Sequence, residues 1–338
     1  MVALSPKAYR RVVRESVTQS FAKAAAALRE DWGVDYDGKQ IQRWSQLAGE
    51  SLLADQGRER RLYEQGQRPS GPVNDPLLLV IGMDGGRVQT REKQEENDSR
   101  WREDKVLTIS SYLPGDGHEK KPQPLVTTYR ATMHPSREFG VGARLEAERR
   151  GIRQARRVVV IGDGAGWIDT LHREHFPRHP RVIDWYHAAE HLHDVAKAVH
   201  PQRASDQEQL AQRLKVMLWE GQVQEVILAI EQASQAAGPP QEDDPPSHPR
   251  RVLQQNLGYF QRHGRHMNYP AYRARGWPIG SGMTEAGVKQ FNKRVKGTEQ
   301  FWHEQGVEPI LALRALWLSD DDRWEHYWSS QHRLQNAA

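Results

Sequence analysis

The spacing of apolar positions changes rhythm along the chain, and the changes mark its parts. Up to about residue 70 the apolar residues recur with a helical period, in FAKAAAALRE and again in IQRWSQLAGESLLADQ, with no β-rich run between them. A helical N-terminal region over 1–70 is expected. The turn residues Asp35-Tyr36-Asp37-Gly38 leave two readings open, a DNA-binding helix-turn-helix remnant or a helical lead packed on the main domain. A polar, Pro/Gly-rich stretch, EQGQRPSGPVNDP, then separates this region from the rest.

From Pro76 the pattern becomes that of strands: LLLVIGMDGGRVQT, KVLTISSYL and PLVTTYRATM. The doublet Gly85-Gly86 permits a tight reversal, so the first two strands are expected to form a hairpin with Asp84 near its end. An amphipathic helix around GARLEAERRGI leads into ARRVVVIG, apolar at nearly every position and so a buried central strand. A helix at WIDTLHREHF and a short strand at RVID follow. Residues from about 186 to 265 read as helix, broken only by AAGPPQEDDPPSHP, which suggests an all-helical insertion in an α/β domain. Two more helices, GMTEAGVKQFNKRVK and EPILALRALWLSD, close a main domain running from 76 to 318, and 319–338 is left as a C-terminal tail. The class is α/β with a mixed sheet.

Composition narrows the setting. A chain of 338 residues with 37% hydrophobic and 27% charged residues belongs with soluble globular proteins. No apolar run reaches the roughly 20 residues that span a bilayer, and MVALSPKAYRRVVRES lacks the apolar core of a signal peptide. With no cysteine, disulfides and thiolate zinc sites are excluded, and a cytoplasmic, nucleoid-associated location is expected. The net charge of +4 is modest, but cations crowd into the C-terminal third while acids collect in QEENDSR, EDDPP and SDDDRWE.

Three carboxylates stand out against this background. Asp84 and Asp163 each end a β-branched apolar run and are each followed by glycine. Glu285 is the only acid between Arg250 and Lys296, an interval with ten Lys or Arg. Cleavage or transfer at a phosphodiester is assisted by a pair of Mg²⁺ ions, and such hard cations prefer oxygen ligands. Each acid alone has an ordinary explanation: a hairpin Asp-Gly, a loop after a buried strand, a first-turn helix glutamate. Their combination points to a metal site beside a DNA surface.

That surface is expected in the same basic interval, where Tyr259, Phe260, Tyr269, Tyr272, Trp277 and Phe291 alternate with cations. Aromatic faces stack on exposed bases and cations neutralise phosphates. Arg273, Arg275, Lys289, Lys293, Arg294 and Lys296 are the candidate DNA contacts. Two competing motifs remain. His187, Glu190 and His191 spell H-x-x-E-H, the pattern of an inverted zinc metallohydrolase. Gly162-x-Gly164-x-Gly166 between strand and helix imitates a dinucleotide loop, although Trp167 stands where that loop needs a small residue.

The phrases IGMDGG, IGDGAGWI, FPRHPRVIDWYHAAEHL and WPIGSGMTEAGVKQFNKRVKGTEQFW resemble bacterial insertion-sequence DDE transposases of the Kra group, related to Mutator-like elements. The resemblance extends from about 77 to 318. It implies a ribonuclease-H-like fold, with Asp84, Asp163 and Glu285 as the acidic triad holding two Mg²⁺ ions, Mn²⁺ serving as a substitute. It also implies cleavage at the terminal inverted repeats of an element, strand transfer into target DNA, and a homodimer or higher oligomer on double-stranded DNA. Asp184 and His187 in DWYH fall near the catalytic centre of that family, where a supporting role is expected. Members of the group bring a longer N-terminal region than the 70 residues here, so the alternative is a truncated or domesticated DNA-binding derivative.

Overall fold

The computed structural model describes residues 4–67, 69, 75–92, 99–117, 119–297 and 300–337. Part of the separator EQGQRPSGPVNDP and most of the acidic run QEENDSR lie outside them. Five strands, β1 (Leu78–Gln89), β2 (Trp101–Leu113), β3 (Gln123–Thr132), β4 (Val158–Gly162) and β5 (Arg181–Ile183), form one sheet in the order β3-β2-β1-β4-β5. With helices before, between and after them, the expected mixed α/β class holds. The chain divides into two units, one comprising 1–111, 124–156 and 282–338, the other 112–123 and 157–281.

The first unit starts with α1 (Pro6–Thr18), α2 (Phe21–Trp32) and α3 (Gly38–Glu64). Ser5 and Ser20 cap the first two, and α3 begins in a reciprocal capping box between Asp37 and Gln40. These helices do not stand apart as a module. Val13 and Val17 of α1 and Ala48 and Leu52 of α3 share one core with Ala312, Leu313 and Leu316 of α12 (Glu304–Leu318). The same core takes in Trp324, Tyr327 and Trp328 of α13 (Arg323–Ala337). The stretch expected to be a tail is therefore a helix that buries three aromatic rings. Its helical spacing, 324, 327 and 328, is the signal that composition concealed.

α1 has no basic residue in its last turn, and two arginines from elsewhere serve its C-terminal carbonyls. Arg294 Nε of α11 (Gly282–Val295) donates to Ser16 O at 2.5 Å, and Arg314 Nη1 of α12 donates to Val17 O at 2.8 Å. A second buried ionic group joins α4 (Ser136–Arg149) to α13. Glu146, fully buried, accepts from Thr128 Oγ1 at 2.6 Å and from Arg323 Nη2 at 2.6 Å. Burial pushes its carboxyl upward, but Arg323 and Arg149 outweigh that and hold it far below the usual range.

Within this unit the register of β1 against β2 can be read from close approaches. A Cβ on Gly82 would lie 2.7 Å from Thr108 Oγ1, and one on Gly86 would lie 2.5 Å from Asp104 Oδ1. As β1 rises from 82 to 86, β2 falls from 108 to 104, so the strands are antiparallel. The Gly85-Gly86 doublet does not turn. β1 runs through it to Gln89, and Asp84 lies inside a strand rather than at a hairpin tip. The glycine at 86 answers a lack of space across the ladder, not a need for positive φ.

The second unit holds the parallel pair β4 and β5, with Val160, Ile161 and Gly162 opposite Arg181, Val182 and Ile183. α5 (Gly166–His175) crosses between them. Four helices then occupy residues 185–263: α6 (Trp185–Val199), α7 (Ala204–Trp219), α8 (Val223–Ala237) and α9 (Pro249–His263). A short α10 (Tyr269–Ala274) follows, its Tyr269 ring set edge-on to Trp185 at 5.0 Å.

Candidate active site

The first unit carries Asp84, Glu285 and a residue that the sequence did not single out. Asp84 is partly exposed in mid-β1, and its Oδ1 accepts from Gly85 N at 2.7 Å. Glu285 lies in the first turn of α11, whose start is seated on β1. Thr284 Oγ1 and Thr108 Oγ1 are hydrogen-bonded at 2.8 Å, and a Cβ on Gly82 would lie 1.9 Å from Thr284 Oγ1. Only glycine at 82 lets the helix approach this closely. Glu285 Oε2 stands 3.9 Å from Lys289 Nζ, one helical turn on, which gives the lone acid of the basic interval a cationic partner.

The unexpected residue is Asp104, on β2 over Gly86. It is fully buried, and neither carboxylate oxygen has a hydrogen-bond partner. Burial pushes its carboxyl up to about 6, opposed by its own backbone N–H and by Lys105 and helped by the neighbouring charges of Glu103 and Asp84. The strand parity held the signal: 104, 106 and 108 share a face, and an acid there should have been an apolar residue.

The second unit carries Asp163, Asp184 and His187. Asp163 follows β4 directly, and its Oδ1 accepts from Ala165 N at 2.8 Å. Arg181 of β5, almost fully buried, donates to the Asp163 carbonyl at 2.9 Å and is ion-paired with Asp169. The loop that presents Asp163 is thereby tied to the adjacent strand. His187 Nε2 stands 3.8 Å from Asp163 Oδ2 with its ring half exposed, so it is placed to steady that carboxylate.

Asp184 has a different duty. Its Oδ1 caps α6 by accepting from Tyr186 N at 2.6 Å and His187 N at 3.0 Å. Its Oδ2 accepts short bonds from both the backbone N–H and the hydroxyl of Ser281. Fully buried with both oxygens taken, it ties Ser281 to the start of α6.

The competing motifs lose their chemistry. His191 Nδ1 is hydrogen-bonded to Asn256 Oδ1 at 2.7 Å and its ring stacks on Tyr259 at 3.8 Å; burial pushes its pKa down. It is a half-buried histidine whose ring is spent on Asn256 and Tyr259. The space over Gly164, where a dinucleotide phosphate would lie, is taken by Tyr259 and His263. Among the described residues, no three His, Asp or Glu side chains stand close enough to share one metal ion.

The basic interval divides. Lys289, Lys293 and Lys296 are exposed, Lys296 Nζ lying 5.1 Å from the Trp101 ring, and Arg275 is exposed over Trp277. Arg273 is stacked 3.6 Å over Trp219 and donates to its carbonyl at 3.0 Å. Arg294 is removed from the expected DNA contacts, because it is 1% exposed and spends its guanidinium on α1, Phe21 and Trp302. The expected base-stacking aromatics are also mostly internal: Phe260, Tyr269 and Phe291 are fully buried, and Tyr272 and Trp277 nearly so. Helical periodicity alone cannot tell a basic surface stripe from one whose fourth member faces inward.

No protein-family model matches the chain, and no curated protein matches it. Among solved structures, the chain is similar to one in the Drosophila P element transposase strand transfer complex. The match has 8% sequence identity and a TM-score of 0.40 and covers 96% of this chain and 94% of that one. Among the described residues no helix is long and apolar enough to cross a membrane.

Proposed function

We propose that the protein is a DDE transposase of the insertion-sequence kind, cutting double-stranded DNA at the terminal inverted repeats of an element and joining the ends to target DNA. The observation that carries this reading is the seating of α11: Thr284 locked on Gly82 and Thr108 sets Glu285 over the strand that bears Asp84. The second aspartate follows β4 directly, as the triad pattern requires.

Each acid taken singly has the oxygen chemistry that hard divalent cations prefer, although no three of them are gathered around one point among the described residues. Asp84 and Asp163 each keep one oxygen oriented by a backbone N–H, and the Asp84 face also carries a buried acid with no donor. Asp84, Asp163 and Glu285 would hold two Mg²⁺ ions, or Mn²⁺ in their place. When bound, the pair stabilises the attacking and leaving oxygens of a phosphodiester. The chain's own contribution is placement: Arg181 fixes the Asp163 loop, Asp184 fixes Ser281, and His187 steadies Asp163. Lys289, Lys293, Lys296 and Arg275 hold the DNA backbone. Joining two ends calls for a homodimer or larger assembly on DNA.

The test is nicking of a labelled element end, taken from the inverted repeats flanking the gene. Wild-type protein is expected to nick with Mg²⁺ and to stop on chelation, and Glu285→Gln to lose at least about a hundredfold in rate while still binding the DNA. Normal nicking by a variant with all three acids amidated would overturn the assignment. Binding without nicking in the wild type would identify a domesticated DNA-binding derivative.

A further inference from the structure

We infer that Asp104 joins Asp84 in a divalent-cation site on the β1–β2 face, making it a fourth acid of the reaction centre; the inference deepens the transposase reading and rests on it for the role of Asp84. The register places the two side chains on the same face. Gly82 meets Thr108 and Gly86 meets Asp104, so Asp84 is opposite Val106 and one diagonal step from Asp104, within about 8 Å. The face is the one that α11 covers, since Thr284 lies on Gly82 and Val88 and Val106 pack with Phe291.

What singles out Asp104 is its unmet chemistry. A buried carboxylate normally collects two or three donors, because an unpaired one costs several kcal/mol. Here both oxygens are buried without a donor, although Lys105 is next in sequence. That lysine turns to the opposite side of the strand and pairs with Glu103 at 3.0 Å. Gly86 completes the arrangement, because its missing Cβ leaves the space in which the carboxylate lies, 2.5 and 2.9 Å from where that atom would be. Asparagine or serine would suit a merely structural position better. A carboxylate kept bare beside a second one is suited to a cation, and Mg²⁺ commonly takes one or two carboxylates with water completing its shell.

The experiment titrates Mn²⁺ into the full-length protein and follows bound metal by electron paramagnetic resonance, in wild type, Asp104→Asn, Asp84→Asn and Asp163→Asn, with thermal unfolding as a check of folding. Asp104→Asn is expected to weaken one Mn²⁺ site at least tenfold, as Asp84→Asn does, while unfolding no lower than wild type. If Asp84→Asn and Asp163→Asn lose Mn²⁺ while Asp104→Asn binds as wild type, the fourth acid is refuted and the transposase reading stands. If Asp104→Asn and Asp84→Asn lose Mn²⁺ but the wild type nicks no element end, the cation site stands and the transposase reading falls. A wild type that binds no Mn²⁺ refutes both.

Discussion

At the scale of single residues, the most informative side chains are two that break the rule of their neighbourhood. Asp104 is an acid in a buried strand, and its pH behaviour follows from its raised pKa. Below about pH 4 the side chain is neutral in both folded and unfolded chains. As pH rises toward 6 the unfolded chain ionises first, so folding loses stability, and above 6 the loss is complete. Asp104→Asn is therefore expected to be more stable than wild type at pH 7.5, by up to about 3 kcal/mol, with the difference vanishing below pH 4. Equal stabilities across that range, measured by urea unfolding of the metal-free proteins, would contradict it. The charges that bear on the group are Glu103, Asp84 and Lys105. Arg294 breaks the opposite rule, a cation within a core. Replacing it with Met removes a charged hydrogen bond from the end of α1 and should cost about 2 to 3 kcal/mol, while leaving the salt dependence of DNA binding unchanged. Strand parity marked Asp104 as out of place but not what it meets, and Arg294 could not be told from its exposed neighbours, because a period says which face a residue shares but not what lies against it.

Among elements, β1, α11 and α13 show how far the sequence could be read. The strands and the helical block from 185 to 263 follow the apolar rhythm closely, since burial is what that rhythm records. β1 differed because Asp-Gly-Gly has the chemistry of a turn, and the opposing strand overrides it: Gly86 is small to admit Asp104, not to bend. The seat of α11 was equally hidden, depending on the Thr284–Thr108 contact across 176 residues of sequence. Gly82→Ala would push a methyl into Thr284 and is expected to lower both stability and nicking, by about 1 to 3 kcal/mol in the former. The α4–α13 join makes a separate claim. Glu146→Ala leaves Arg323 paired with Asp321 alone and should cost about 2 to 3 kcal/mol, read by urea unfolding, without touching the candidate site.

For the whole molecule, what matters first is how charge is divided between surface and core. Four of the six cations expected at DNA are exposed, one stacks on Trp219 and one is buried. Changing Lys289, Lys293 and Lys296 together to Ala should reduce the slope of log affinity against log salt by about 2 to 3 units. An unchanged slope would move the DNA surface elsewhere. The core built from α1, α3, α12 and α13 carries a temporal consequence. Arg314 grips Val17 across 297 residues of chain. During synthesis at roughly 5 to 20 residues per second, the first helix waits about 15 to 60 s for its partner. The part of its apolar face that meets α12 and α13 is open to chaperones throughout that interval, so a ribosome stalled before residue 304 is expected to hold a nascent chain whose N-terminal helices remain protease-sensitive.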